Sequence, residues 1–237
     1  MKTRAIVTLL LLAICTAIYA SEDITDPEVY WRKTQEMNQM AERFKEDTGF
    51  TGEVAHSLNT MRLHVYRGRF SDIPFTADAD TTAFRQACER IVEKILPYSP
   101  ANRSQLTMSR ITNQWGRCTT DYKQQVGGYQ VEGAGYIMIT YDAGRKHFSI
   151  SDNTVDLPEG VQINIARDKA ISIAIDYFKD QVSPPEHKLV PYVIDDLRFH
   201  NPNKMSYSLK YIIYLGDYVY YVDAFSGILD WDNVIAD

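Results

Sequence analysis

Five histidines, His56, His64, His147, His187 and His200, are the residues best suited to hold a metal or move a proton. No two stand three or four apart, the spacing at which one helix face presents two imidazoles to zinc, so a helical zinc pair is excluded. Glu186-His187 is a bare dipeptide beside Pro184 and Pro185. The chain has no Gly-x-Ser-x-Gly elbow to expose a serine nucleophile and no Gly-x-x-x-x-Gly-Lys loop to cradle phosphate. Gly127, Gly128, Gly133 and Gly135 fall in hairpin sequence, not at a helix start. Asp195-Asp196 and Asp230-Trp231-Asp232 offer oxygen donors for calcium, although carboxylates at strand ends are more often simply solvated. Tyr218 to Tyr221, Phe225 and Trp231 concentrate aromatic surface that suits peptide or sugar recognition, with cross-strand packing as the alternative for the alternating ones. The chemistry on offer is recognition: no catalytic residue, metal site or cofactor is implied.

The remaining reactive side chains are cysteines. Residues 1–20 carry Lys2 and Arg4, an apolar run from Ala5 to Ile14 and small residues up to Ala20, the pattern of a secretory signal peptide, and the run is too short to span a bilayer. A lipoprotein anchored at Cys15 is the weaker alternative, because Ile14 is bulky where such a site needs a small residue. The mature chain is therefore expected to be secreted or periplasmic, without a transmembrane segment. It keeps Cys88 and Cys118, and in an exported protein the expectation is a structural disulfide, two buried thiols being the alternative. Closing that loop would contribute about 3–4 kcal/mol in the chain-entropy picture. The chain has 25 Lys and Arg against 31 Asp and Glu, and loss of the signal removes two of the bases, a balance that argues against nucleic acid and anionic membranes.

The elements that must position these groups follow from periodicity. From Pro27 to about Lys45, Val29, Met37, Met40 and Phe44 mark an amphipathic helix ended by Thr48-Gly49. Short strands are expected around Gly52 to Val54 and Met61 to Tyr66, closed by Arg67-Gly68-Arg69-Phe70, with a linker from Ser71 to Asp80. Two copies of one plan follow. The first has a helix from Thr82 to Leu96, with Phe84, Ala87, Cys88, Ile91, Val92 and Ile95 on one stripe, and strands at 106–113, 117–125, 134–141 and 146–151. In its second strand Cys118, Thr120, Tyr122 and Gln124 share a face, and Gly127-Gly128 turns the chain. The second copy has Asn164 as N-cap, a helix from Ile165 to Lys179, and strands at 189–194, 206–215, 218–223 and 227–231.

On these elements lie two resemblances. Tyr122, Gln124, Gly128, Val131 and Gly133 fall on the places of the core motif of the fungalysin/thermolysin propeptide module, which the stretch resembles; Val126, Gln130 and Glu132 depart from it. The strand pair with Arg67-Gly68 is similar to the start of the same propeptides. Residues 220–229, reading Tyr-Tyr-Val-Asp-Ala-Phe-Ser-Gly-Ile-Leu, resemble the last hairpin of a PepSY module, in which Asp223 and Gly227 hold the turn and Ser226 replaces the usual Thr. The order of the two modules is that of the prosegments of thermolysin-type metallopeptidases, without the catalytic domain. The resemblance implies an α+β fold of two tandem cystatin-like units, each a helix packed on an antiparallel sheet. The expected division is a signal peptide at 1–20, an N-terminal helix and strand pair at 21–80, a propeptide-like unit at 81–157 and a PepSY-like unit at 158–237.

Such prosegments mask and help to fold their own protease. The resemblance thus implies a non-catalytic, secreted protein that binds a thermolysin-like metallopeptidase in trans as inhibitor or folding helper. The alternative is an extracellular or periplasmic peptide-, glycan- or protein-binding module with no protease partner. In the precursors the chain leaves the last hairpin towards the catalytic cleft. The matching residues here are the tail after Leu229, with Trp231, Val234 and Ile235 as candidate contacts, against the plain reading of Trp231 as a core cap and a frayed end.

Overall fold

The computed structural model describes residues 24–76, 80–131, 133–181, 192–193, 198–200, 207–215 and 218–233. Residues 1–20, read above as an expected signal peptide, Asp195-Asp196 and the tail residues Val234 and Ile235 lie outside them. No helix among the described residues is long and apolar enough to cross a membrane. Helix α1 (Pro27–Thr48) begins where the Asp26 carboxylate accepts from Glu28 N at 2.8 Å, and it ends where Gly49 takes a left-handed φ of 66°. Its buried stripe, Met37, Ala41 and Phe44, covers the hairpin of β1 (Phe50–Ser57) and β2 (Arg62–Phe70). Helix α2 (Thr81–Ile95) is capped by Asp80 on Ala83 N at 2.8 Å and buries the six residues that its periodicity marks. Next come β3 (Leu106–Met108), β4 (Thr112–Gln114), β5 (Arg117–Val126), β6 (Tyr129–Gln130), β7 (Tyr136–Asp142) and β8 (His147–Asp152). Helix α3 (Arg167–Gln181) precedes β9 (Tyr192–Val193), β10 (Arg198–His200), β11 (Ser208–Leu215), β12 (Tyr218–Asp223) and β13 (Leu229–Asn233).

The fold is α+β with a large antiparallel sheet. Its strand order is β1-β2-β8-β7-β5-β3, with β4 and β6 also on β5, and β2 joins β8 from Val65↔Ser151 to Gly68↔Phe148. The N-terminal helix and strand pair therefore do not stand apart from the unit that follows. The hairpin's inner face, Phe50, Leu63, Tyr66 and Phe70, is apolar and needs cover, so both it and α1 enter one core with Phe84, Ile91, Ile137, Ile139 and Ile150. Two helices, not one, serve this sheet. Gly68 is also not in a closing turn. It stands mid-strand opposite Gly52, where a Cβ on either would meet the other strand's backbone at 2.1–2.2 Å.

Cys88 and Cys118 face the same helix-sheet interface, as their periodicity indicates, but the structure holds them as two buried thiols in place of the expected disulfide. Both are packed as small apolar side chains. Burial pushes both pKa values up, with Glu89 and Cys118 adding to the rise at Cys88, so neither is poised as a thiolate.

The second sheet has the order β10-β11-β12-β13 with β9 also on β11. Ala170, Ala174 and Phe178 of α3 cover Leu209, Ile213, Tyr220 and Val222. The helix starts at Arg167, later than expected, and Asn164 is not its cap. The Asn164 and Ile165 amides instead both donate to Ala224 O at 2.9 Å, which holds this segment against the end of β12. Val126, Tyr129 and Val131, from the end of β5 and the residues after it, belong to this second core, so one hairpin is shared between the cores.

Candidate functional site

Tyr122, Gln124, Gly128, Val131 and Gly133 lie in β5 and the turns that follow it. Gln124 is fully buried, and its amide makes three hydrogen bonds: Nε2 donates to Val155 O at 2.8 Å and to Gln105 Oε1 at 3.1 Å, and Oε1 accepts from Val155 N at 2.9 Å. A side chain in the middle of β5 thus stands in for a strand partner to the segment leaving β8. Tyr122 is fully buried with the Arg103 guanidinium 5.8 Å from its ring centroid, and burial, then Glu89, push its pKa up. Gly127 and Gly128 have φ of 59° and 86°, the pairing Val126↔Tyr129 closes the two-residue turn, and a Cβ on Gly127 would meet Val161 at 2.9 Å. Val131 fills the space that a side chain at Gly135 would need, and Gly133 takes a φ of 70° with nothing within 4 Å.

The PepSY-like turn behaves as its sequence indicates. Asp223 Oδ1 accepts from Phe225 N at 3.1 Å, Ser226 N at 2.7 Å and Ser226 Oγ at 2.8 Å, while Gly227 at φ 75° donates to Asp223 O at 2.9 Å. Burial works to raise the Asp223 pKa, but the Ser226 amide and the Ser208 and Ser226 hydroxyls outweigh it and hold the carboxyl below its ordinary range. So fixed, the turn projects Phe225 at 53% and Ile228 at 65% exposure, and Ile163 in the adjoining segment is 43% exposed. The stretch after Leu229 is not a free tail at its start. Asp230 to Asn233 continue β13, and Trp231 is paired with Tyr220.

No family model matches this chain, and no curated protein matches it. Among solved structures it is similar to the Bacillus megaterium YpeB C-terminal domain, with 11% identity and a TM-score of 0.31, over 84% of this chain and 96% of that chain.

Sequence reasoning missed a cleft of about 630 Å³ where the first sheet meets the second unit. Arg62, His64, Tyr136, Asp152, Asn153 and Tyr207 line it, with Gly133 on its wall. Asp152 Oδ1 accepts from Thr154 N at 3.0 Å and Thr154 Oγ1 at 2.6 Å, and the buried Oδ2 has no hydrogen-bond partner among the described residues. After burial itself, the Asp152 charge is the next cause of the raised Tyr66 pKa. The lining mixes donors, acceptors and aromatic edges from β2, β7, β8 and the start of β11, so it suits a polar ligand such as a peptide or sugar. No local spacing announces it, because five separate chain segments meet there. Trp115 was also unmarked; it tops the β4–β5 turn at φ 49° and is 97% exposed. Among the described residues no group of His, Cys, Asp and Glu gathers as a metal site.

Proposed function

We propose that this is an exported, non-catalytic binding protein that engages a protein partner in trans, and that the partner is a thermolysin-like metallopeptidase which it inhibits or helps to fold. The observation that carries the binding role is the Asp223 turn, whose side-chain hydrogen bonds hold Phe225 and Ile228 out in water. Apolar side chains fixed in place lose little freedom on association and are the anchors that interfaces bury at their centres. The peptidase itself comes from the likeness of Tyr122, Gln124, Gly128, Val131 and Gly133, followed by Asp223 and Gly227, to the prosegment order. The test titrates the purified chain against a co-exported thermolysin-like metallopeptidase and follows both inhibition and refolding yield. The double variant Phe225→Ala/Ile228→Ala should weaken the effect by about tenfold or more, equivalent to ~1.4 kcal/mol, with an unchanged melting temperature. Undiminished action of that variant would move the contact elsewhere. Deleting residues 234–237 in parallel tests the tail.

A second reading, a peptide- or glycan-binding module with no peptidase partner, is favoured by the junction cleft, whose volume suits a small ligand and whose lining mixes polar groups with aromatic and apolar surface. Saturable binding of a peptide or oligosaccharide, abolished by Tyr136→Ala and Tyr207→Ala but not by the turn variant, would select it.

A further inference from the structure

At the end of the first sheet away from the junction, Phe75, Tyr141 and Phe148 form the floor of a second cavity of about 440 Å³. The rings are packed edge to face and tilted, with Phe75 4.7 Å from Tyr141 and Tyr141 5.1 Å from Phe148, centroid to centroid. The Tyr141 hydroxyl donates to Phe75 O at 3.1 Å and so ties the segment after β2 to the sheet. The rim is cationic. Arg69 Nε donates to Lys146 O at 2.6 Å and Nη2 to Arg145 O at 3.3 Å, which fixes the guanidinium on the β7–β8 turn and leaves its other terminal nitrogen without an acceptor among the described residues. Lys146 holds a left-handed φ of 53°, and its ammonium has no acceptor among the described residues.

Among the described residues no carboxylate lines this cavity. Two described carboxylates next to the lining in sequence have other partners: Asp72 is 3.1 Å from both Arg90 and Lys94, and Asp142 is 3.4 Å from Arg117 and accepts from Arg145 N at 3.0 Å. In a chain of net charge −6, an apolar hollow whose described charged lining residues are Arg69 and Lys146 stands out. We infer that this cavity binds a carboxylate carried on one large apolar body, the carboxylate between Arg69 and Lys146 and the body on the three rings. This chemistry belongs equally to the C-terminal residue of a peptide and to a free aromatic acid. The inference is independent of the peptidase reading, because it uses neither the Asp223 turn nor the resemblance.

The test is a titration of the full exported chain with N-acetylphenylalanine, N-acetylphenylalaninamide and hydrocinnamate, followed by amide chemical shifts of Ala143 and Lys146. Saturable binding of the acids and weak binding of the amide are expected. Lys146→Gln should weaken acid binding by about tenfold with an unchanged melting temperature. Lys123→Gln, on an exposed strand face, should leave it unchanged. N-acetylphenylalanine ahead of hydrocinnamate points to a chain end, and the reverse points to a free acid; either supports the site. Equal binding of acid and amide, or no saturation at millimolar concentration, overturns it.

Discussion

The Gly127-Gly128 turn and the Asp223 turn both reverse neighbouring strands, but they face opposite ways. The first points its flanking residues inward: Val126, Tyr129 and Val131 enter the second core, and Gln124, two residues before Val126, grips Val155. The second ties itself together with one carboxylate and projects Phe225 and Ile228 into water. In both, a few residues shape the backbone, Gly127 and Gly128 in the first and Asp223 and Gly227 in the second. The difference shows that such residues say how a turn is made, whereas the side chains between them decide whether it joins two parts of the molecule or meets something outside.

This contrast can be broken most directly at Gln124. Gln124→Ala leaves the Val155 amide and carbonyl without their buried partner and takes from Gln105 Oε1 one of its two donors, the Asn102 amide remaining, and should cost about 3 kcal/mol in urea unfolding. A loss below about 1 kcal/mol would mean the inward turn does not depend on that clamp. Gly127→Ala combines a left-handed φ with the contact to Val161 and should cost about 1–2 kcal/mol, whereas Gly128→Ala, with open space around it, loses only the conformational part, about 1 kcal/mol.

The outward turn should be less sensitive. Asp223→Ala is expected to lower stability by about 1 kcal/mol at neutral pH, since the freed amides of an exposed turn can bond to water. The Asp223 carboxyl is held below its ordinary range in the fold. Its contribution is therefore present above the unfolded-state pKa of about 4 and is lost as pH falls through the lower folded value. The gap in unfolding free energy between wild type and Asp223→Ala should close over that acid window; a gap that persists well below it would assign the effect to packing. Smallest of all, Phe225→Ala/Ile228→Ala should shift stability by less than about 0.5 kcal/mol, because both side chains are already in water. A larger loss would make this turn a second inward one.

How much of this was legible varied with the range of the interaction. Alternation in β5 placed Cys118, Thr120, Tyr122 and Gln124 on one buried face, and periodicity in α2 gave its whole buried stripe, because both signals are carried by neighbouring residues. The Asp223 turn was legible for the same reason. The union of β2 with β8 was not, since alternation tells which face a strand buries but not which strand lies beside it. Arg67-Gly68-Arg69 read as a turn because the glycine opposite it, Gly52, lies on another strand. Both cavities were hidden for a related cause: Asp152 and Tyr207, or Arg69 and Lys146, become neighbours only after distant strands have paired.

The seam between β2 and β8 also sets an order of assembly. When the chain emerges from its amino end, α1 and the β1–β2 hairpin are complete some eighty residues before β8 exists to flank them. Until then the inner edge of β2 has no neighbour, and Leu63 and Tyr66 lack Ile137, Ile139 and Ile150 of their final core. A stable intermediate limited to residues 27–70 is therefore not expected during synthesis, and the nascent amino-terminal part stays pliable until residue 152 is made. A segment that cannot close early is one that can still be threaded through a narrow channel.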